Sequence, residues 1–170
     1  MKQLLIDIIQ FLLLVAAQIL VSSFVNFGPS VLICFYPFYI LSKNPKTPIG
    51  QLLITSFVLG LLIDFFSNGM LGLNASASVF LAFIQPVLMK LILRSGDLDK
   101  KSRPGIYNSG ITRYTIYILT GLFFHHIFLT IVENFGTPFV AESLVRVLFS
   151  VLLNTLIIIL IDYGIFYKKH

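Results

Sequence analysis

Long apolar runs separated by short polar stretches dominate this chain of 170 residues. A membrane-spanning helix needs about 20 mostly apolar residues, and runs near that length predict spans. The second run is short and contains Pro37, which favours a re-entrant segment and leaves a five-helix alternative open. The pattern predicts six transmembrane helices, at Leu4 to Phe24, Pro29 to Leu41, Ile49 to Phe66, Asn74 to Leu93, Tyr114 to Val132 and Ser143 to Phe166.

Composition supports the same class of protein. Hydrophobic residues make up 57% of the chain and charged residues 11%, which excludes a soluble globular domain. The first run is longer than the apolar core of a signal peptide, so we interpret it as a retained first helix. We therefore predict an all-α polytopic membrane helix bundle in which residues 1–170 form a single integral membrane domain.

The basic residues are distributed unevenly between the two ends of a six-helix zigzag. Positive side chains near helix ends stay preferentially on the cytoplasmic side. Only Arg146 falls on the opposite side, together with Glu133 and Glu142. The pattern predicts cytoplasmic termini; the five-helix alternative, with its amino terminus outside, misplaces only Lys2. The residues on the cytoplasmic side are Lys2, Lys43, Lys46, Lys90, Arg94, Lys100, Lys101, Arg103, Arg113, Lys168 and Lys169.

The connection between the third and fourth runs carries the most informative motif. From Gly60 to Asn74 the chain reads G-L-L-I-D-F-F-S-N-G-M-L-G-L-N. Asp64 lies one turn before the predicted end of a helix, and Gly69 and Gly72 permit a tight reversal after it. We expect the Asp64 carboxylate to accept hydrogen bonds from free N–H groups at the start of the fourth helix, with Asn74 as its N-cap. A proton-handling or ligand-handling role for Asp64 is the alternative.

This stretch resembles the G-L-L-x-D…G-x-L-G-L-x-A signature of the MreD family, small integral membrane subunits of the bacterial rod-shape system, or elongasome. The resemblance implies a non-enzymatic scaffold for cell shape and peptidoglycan synthesis in the cytoplasmic (inner) membrane. It implies an MreC-like single-span partner, with MreB, RodA and penicillin-binding synthases nearby. It also implies a fold like that of the substrate-binding subunits of energy-coupling-factor transporters. A vitamin-transporter subunit is therefore the alternative function.

Two further sets of residues are candidates for packing or partner binding. Ala75, Ser78 and Ala82 recur at helical spacing, and small side chains let another helix approach closely, either in this chain or in a partner. Arg146, Asn154 and Asp162 are spaced eight residues apart and form a candidate polar seam along the last helix. Arg146 is expected to pair with Glu142 or Asp64, or to extend to the interface, and Asp162 to reach the headgroups.

The remaining polar residues give no enzymatic signature. His125 and His126 are adjacent and point about 100° apart on a helix, so they do not converge on one metal ion. Cys34 is the sole cysteine, and no phosphate loop, nucleophile elbow or H-E-x-x-H motif is present. We predict no catalytic, cofactor or metal site and no nucleic-acid binding; lipid and protein are the expected partners.

Overall fold

The computed structural model describes residues 2–24, 31–67, 70–93, 103–135 and 141–166, and these form an all-helical structure. Five of the helices are long and apolar enough to span a membrane, namely α1, α3, α4, α6 and α7. The predicted polytopic membrane helix bundle is therefore confirmed. The elements are α1 (Lys2–Phe24), α2 (Pro37–Leu41), α3 (Ile49–Phe66), α4 (Leu73–Ile92), α5 (Ile106–Ser109), α6 (Ile111–Glu133), α7 (Ala141–Ile161) and a π-helix (Asp162–Phe166).

The second predicted helix is where the structure differs from the six-helix prediction. Residues 31–36 are not helical, and only Pro37–Leu41 form a helix of five residues. Proline lacks an N–H and therefore suits the first position of a helix, where that N–H would have no partner within the helix, so Pro37 begins a helix and does not continue one. Within the described ranges, the number of helices long enough to span a membrane is five, as in the five-helix alternative.

Residues 31–43, which we term the crossing segment, nevertheless pass through the bundle. Tyr36 lies beside His125 of α6, whereas Leu41, further along the segment, accepts a hydrogen bond from Tyr117, earlier in α6. The segment therefore runs opposite to α6. Every residue from 34 to 42 is buried, so this segment forms the centre of the core.

The crossing segment runs in the same direction as α4. Its Tyr36 contacts Asn74 near the start of α4, and its Lys43 carbonyl accepts a hydrogen bond from Gln85 in the later half. Short connections join α1, the segment, α3 and α4 in turn, and another joins α6 to α7, so successive passes alternate in direction. In the described part of the chain, five long helices and the partly helical crossing segment thus make six passes, which brings the start of α1 and the π-helix to the same end.

Large apolar side chains cover the outside of the bundle. Leu13 of α1, Ile54 of α3 and Leu152 of α7 are each more than half exposed, as lipid-facing residues are. Polar side chains at membrane depth instead lie mostly inside, among them Gln18, Asp64 and Asn154. The candidate site is therefore internal.

Candidate functional site

The carboxylate of Asp64 joins the end of α3 to the start of α4. Asp64 is 1% exposed. Its Oδ2 accepts hydrogen bonds from the backbone N–H groups of Gly72 (2.9 Å) and Ala75 (3.1 Å). Its Oδ1 accepts hydrogen bonds from the backbone N–H of Asn74 (2.9 Å) and from the side-chain amide of Asn74 (2.8 Å). These are the N–H groups that the sequence analysis expected, and the dipole of α4 favours negative charge here.

Two glycines of the motif make the close approach of α3 to α4 and the turn between them sterically possible. A Cβ on Gly60 would lie 2.5 Å from the Cα of Ala75 and 2.5 Å from the carbonyl oxygen of Asn74, so only glycine permits this approach of α3 to α4. Gly72 has φ +96°, a left-handed conformation that glycine adopts without strain. Gly69 lies outside the described residues.

The predicted N-cap is wrong by two residues. Gly72, not Asn74, caps α4, because the carboxylate of Asp64 already binds the first free N–H groups of that helix. The side chain of Asn74 is left to bridge Asp64 and the crossing segment instead.

The small-residue face of α4 is used within the chain. Ala75, Ser78 and Ala82 are 1%, 0% and 0% exposed, and Ala75 packs against Gly60 of α3. The structure thus selects packing inside the chain over binding of a partner at this face. Because these side chains are covered, a partner does not reach them in this conformation.

A row of hydrogen bonds leads from the corner into the core. The Asn74 Oδ1 atom accepts a hydrogen bond from the Tyr36 hydroxyl (2.8 Å), and the same hydroxyl lies 3.0 Å from Nε2 of His125. Tyr36 and His125 are fully buried. Asp64, Asn74, Tyr36 and His125 therefore connect α3, α4, the crossing segment and α6 through polar contacts.

Asn154 of α7 holds one edge of the crossing segment. Its Nδ2 donates to the carbonyl of Leu32 (2.8 Å), and its Oδ1 accepts from the N–H of Cys34 (3.0 Å). One turn earlier, Ser150 Oγ accepts from the N–H of Leu32 (2.8 Å). Four helical residues rise about 6 Å and two extended residues about 6.6 Å, so these positions stay in register. The other Asn154 contact is Nε2 of His126, at 3.3 Å.

Gln18 of α1 holds the opposite edge in the same way. Its Nε2 donates to the carbonyl of Ile33 (2.8 Å), and its Oε1 accepts from the N–H of Phe35 (3.0 Å). Successive residues of an extended chain present their hydrogen-bonding groups to alternate edges. Gln18 and Asn154 therefore replace the two neighbouring strands that a sheet would provide, which satisfies buried backbone at membrane depth.

The predicted polar seam on the last helix does not form. Arg146 pairs with Glu133 at 2.9 Å, not with Glu142 or Asp64. Asp162 is 2% exposed and forms an ion pair with Arg103, so it does not reach the headgroups. Arg146, Asn154 and Asp162 each contact a different part of the chain, and these contacts fix loops and passes instead of lining a common path.

The contacts of His126 and the burial of Cys34 indicate structural roles for these two residues. Nδ1 of His126 lies 2.9 Å from the carbonyl of Leu122, and Cys34 is a buried free thiol. Within the described ranges, no group of three or more histidine, cysteine, aspartate or glutamate side chains is arranged to hold a metal ion. Gln18 and Tyr36 were missed by the sequence analysis. Their signal is a polar side chain inside an apolar run, where it needs a partner.

These features define a multi-pass membrane helix bundle with a hydrogen-bonded polar interior. Comparisons of the chain with protein-family models, curated proteins and solved structures gave no match.

Proposed function

We propose that this chain is a non-enzymatic membrane scaffold of the bacterial cell-elongation machinery, located in the cytoplasmic membrane and bound to an MreC-like single-span protein. The proposal rests on the resemblance of its Gly60 to Asn74 motif to the MreD family. MreB, RodA and penicillin-binding synthases are then its indirect neighbours.

One observation supports a scaffold over a chemical or ligand-binding role. The polar residues of the motif bind one another: Asp64 accepts all four of its hydrogen bonds from Gly72, Asn74 and Ala75, and Gly60 gives α3 room beside α4. A motif used in this way specifies a rigid corner. A rigid bundle with apolar outer faces suits lateral binding to other membrane helices, for which close packing supplies the energy.

The distribution of charge supports the orientation. Lys43, Lys46, Lys90 and Arg113 lie at the end where α1 begins, whereas Arg146 at the other end is neutralised by a glutamate. Positive side chains favour the cytoplasmic side, so both termini are cytoplasmic in this proposal.

A second candidate is the substrate-binding subunit of an energy-coupling-factor transporter. The observation in its favour is the non-helical backbone of residues 31–36 at membrane depth. Transporters commonly bind substrates where a membrane helix is interrupted. The two candidates predict different partners, a single-span envelope protein or a pair of transporter ATPases.

The test is site-specific photo-crosslinking of the full chain in its native host. The crosslinker replaces exposed residues on three helices, Leu13, Ile54 and Leu152, with the buried Ala82 as the matched control. The scaffold proposal predicts that at least one exposed position captures a single-span protein with an external domain and that position 82 captures none. Capture of ATPase subunits, or copurification of a stoichiometric small molecule, would establish the transporter candidate and refute the scaffold.

A further inference from the structure

The buried imidazole of His126 lies between the backbone of α6 and the amide that holds the crossing segment. His126 is 2% exposed. Its Nδ1 lies 2.9 Å from the carbonyl oxygen of Leu122, one turn earlier on α6. Its Nε2 lies 3.3 Å from Nδ2 of Asn154 on α7. The two ring nitrogens therefore contact groups with opposite hydrogen-bonding character, an acceptor and a donor.

The Leu122 carbonyl determines which ring nitrogen of His126 carries the proton. A carbonyl oxygen only accepts hydrogen bonds, so the nitrogen 2.9 Å from it must donate. A neutral imidazole has one N–H, which leaves Nε2 as an acceptor. The Leu32 carbonyl also lies near the ring, but it already accepts a hydrogen bond from Asn154 at 2.8 Å. A proton on Nε2 would face the Asn154 NH₂ group, donor against donor.

The acceptor atom Nε2 fixes the orientation of the Asn154 amide. Nδ2 of Asn154 has two protons, and it donates one to the Leu32 carbonyl and the other to Nε2 of His126. Oδ1 therefore faces the N–H of Cys34, from which it accepts a hydrogen bond at 3.0 Å. An amide turned by half a rotation would set its NH₂ against the Cys34 N–H and its oxygen against two acceptors. Only one orientation pairs every polar atom of this amide.

We propose that His126 is a positioning residue for the crossing segment and acts through Asn154. Its Nε2 holds the amide in the one orientation that binds both Leu32 and Cys34. A buried amide proton without an acceptor is costly, and lipid offers none in exchange, so the orientation of the amide depends on this nitrogen. The inference goes beyond the proposed function and does not rest on it, because the crossing segment belongs to the fold itself.

The neighbouring His125 provides an internal reference, because its contacts require the opposite tautomer. The Asn74 amide donates to the Asp64 carboxylate, so its Oδ1 accepts the single proton of the Tyr36 hydroxyl. Nε2 of His125, 3.0 Å from that hydroxyl, must then donate to it. Two adjacent histidines are thus expected to be neutral and to carry their protons on different ring nitrogens.

The first test is nitrogen-15 NMR of the full chain, labelled at histidine and reconstituted in lipid bilayers. Protonated and unprotonated ring nitrogens differ widely in chemical shift, so the spectrum reports the tautomer directly. The chain has three histidines, and single variants at His125 and His170 assign the resonances. We expect the proton on Nδ1 in His126 and on Nε2 in His125. A proton on Nε2 of His126, alone or together with one on Nδ1, would overturn the proposal.

The second test compares two variants with side chains of similar size. In His126→Gln the amide oxygen can accept a hydrogen bond from Asn154 in place of Nε2, whereas His126→Leu offers no acceptor. The sole cysteine, Cys34, reports the segment through its carbon-13 shifts. We expect His126→Gln to keep the parent shifts, and His126→Leu to change them and to lower the folded-to-unfolded ratio about tenfold, the effect of one unpaired buried donor. Equal results for the two variants would overturn the proposal.

A double-mutant cycle separates positioning from packing. In an Asn154→Leu background there is no amide to orient, so His126→Leu should change the folded-to-unfolded ratio much less than it does in the parent chain. A loss of packing alone would have the same effect in both backgrounds. Equal effects in the two backgrounds would show that His126 acts independently of Asn154 and would overturn the proposal.

Discussion

Gly60→Ala tests the close contact between α3 and α4 on which the Asp64 corner depends. The added Cβ would lie 2.5 Å from backbone atoms of Asn74 and Ala75, where ordinary contact begins at 3.4 Å. Backbone does not yield as a flexible side chain does, so the helices must separate by about 1 Å in a close-packed interior. The 3.1 Å hydrogen bond from the Ala75 N–H to Asp64 then exceeds hydrogen-bonding distance.

The expected magnitude combines two effects. Overpacking a core costs about 1 to 3 kcal/mol, and weakening a hydrogen bond to a charged group costs about 1.5 to 3 kcal/mol. Because the separation relieves part of the overlap, the two costs do not add fully. We expect Gly60→Ala to lower the free energy of unfolding by about 2 to 4 kcal/mol.

Gly50→Ala is the matched control on the same helix. Gly50 is exposed near the start of α3, and a Cβ there meets nothing within 4 Å. Replacing glycine by alanine in a helix favours folding by up to about 1 kcal/mol, so this variant is expected to be neutral or slightly stabilised. The assay is reversible unfolding of the purified chain in mixed micelles. Equal stabilities of the two variants, within about 0.5 kcal/mol, would refute the steric reasoning.

Three more variants test other parts of the structure. Both Asp64 oxygens accept hydrogen bonds from N–H groups, so the side-chain amide of Asp64→Asn would turn its NH₂ toward groups that also donate. Asp64→Asn should therefore yield less folded protein than the parent, and Asp64→Leu less still, as measured by size-exclusion chromatography. An Asn variant as stable as the parent would contradict this. Asn154→Leu leaves buried backbone groups of Leu32 and Cys34 unpaired and should lower the free energy of unfolding by about 2 to 4 kcal/mol. The control Leu156→Met, at a lipid-facing position, should change the free energy of unfolding little. Equal effects of the two variants would count against a stabilising role for the contact between Asn154 and the crossing segment. In a cysteine-free background, an impermeant thiol reagent applied to intact cells should label a cysteine at Met70 but not at Lys46; the reverse pattern would invert the proposed orientation.

Hydropathy located the long helices because lipid contact requires an apolar surface along the whole span. Helix α3 has the predicted bounds, Ile49–Phe66. Helices α4 and α6 begin at Leu73 and Ile111, each within one turn of the predicted starts at Asn74 and Tyr114. The contact between Asp64 and the start of α4 was also predictable, because the partners are close in sequence and a tight reversal joins them.

The crossing segment was not predictable, because hydropathy does not distinguish a lipid-facing helix from an extended segment buried in protein. Its conformation depends on Gln18 and on Asn154, the latter more than 100 residues away in sequence. Arg146 shows the same limit: sequence spacing favoured Glu142 on its own helix, whereas the structure places Glu133, at the end of the neighbouring α6, 2.9 Å from it.

The central claim is that residues 31–35 pass through the membrane core as non-helical backbone held by side-chain amides. Because Cys34 is the sole cysteine, a chain labelled with carbon-13 cysteine gives a single pair of Cα and Cβ resonances from the middle of this segment. We predict that solid-state NMR of the chain in lipid bilayers gives Cα and Cβ shifts typical of extended backbone, and that Asn154→Leu changes them. Shifts typical of an α-helix at Cys34 would show that the second apolar run is a continuous helix and would contradict the account.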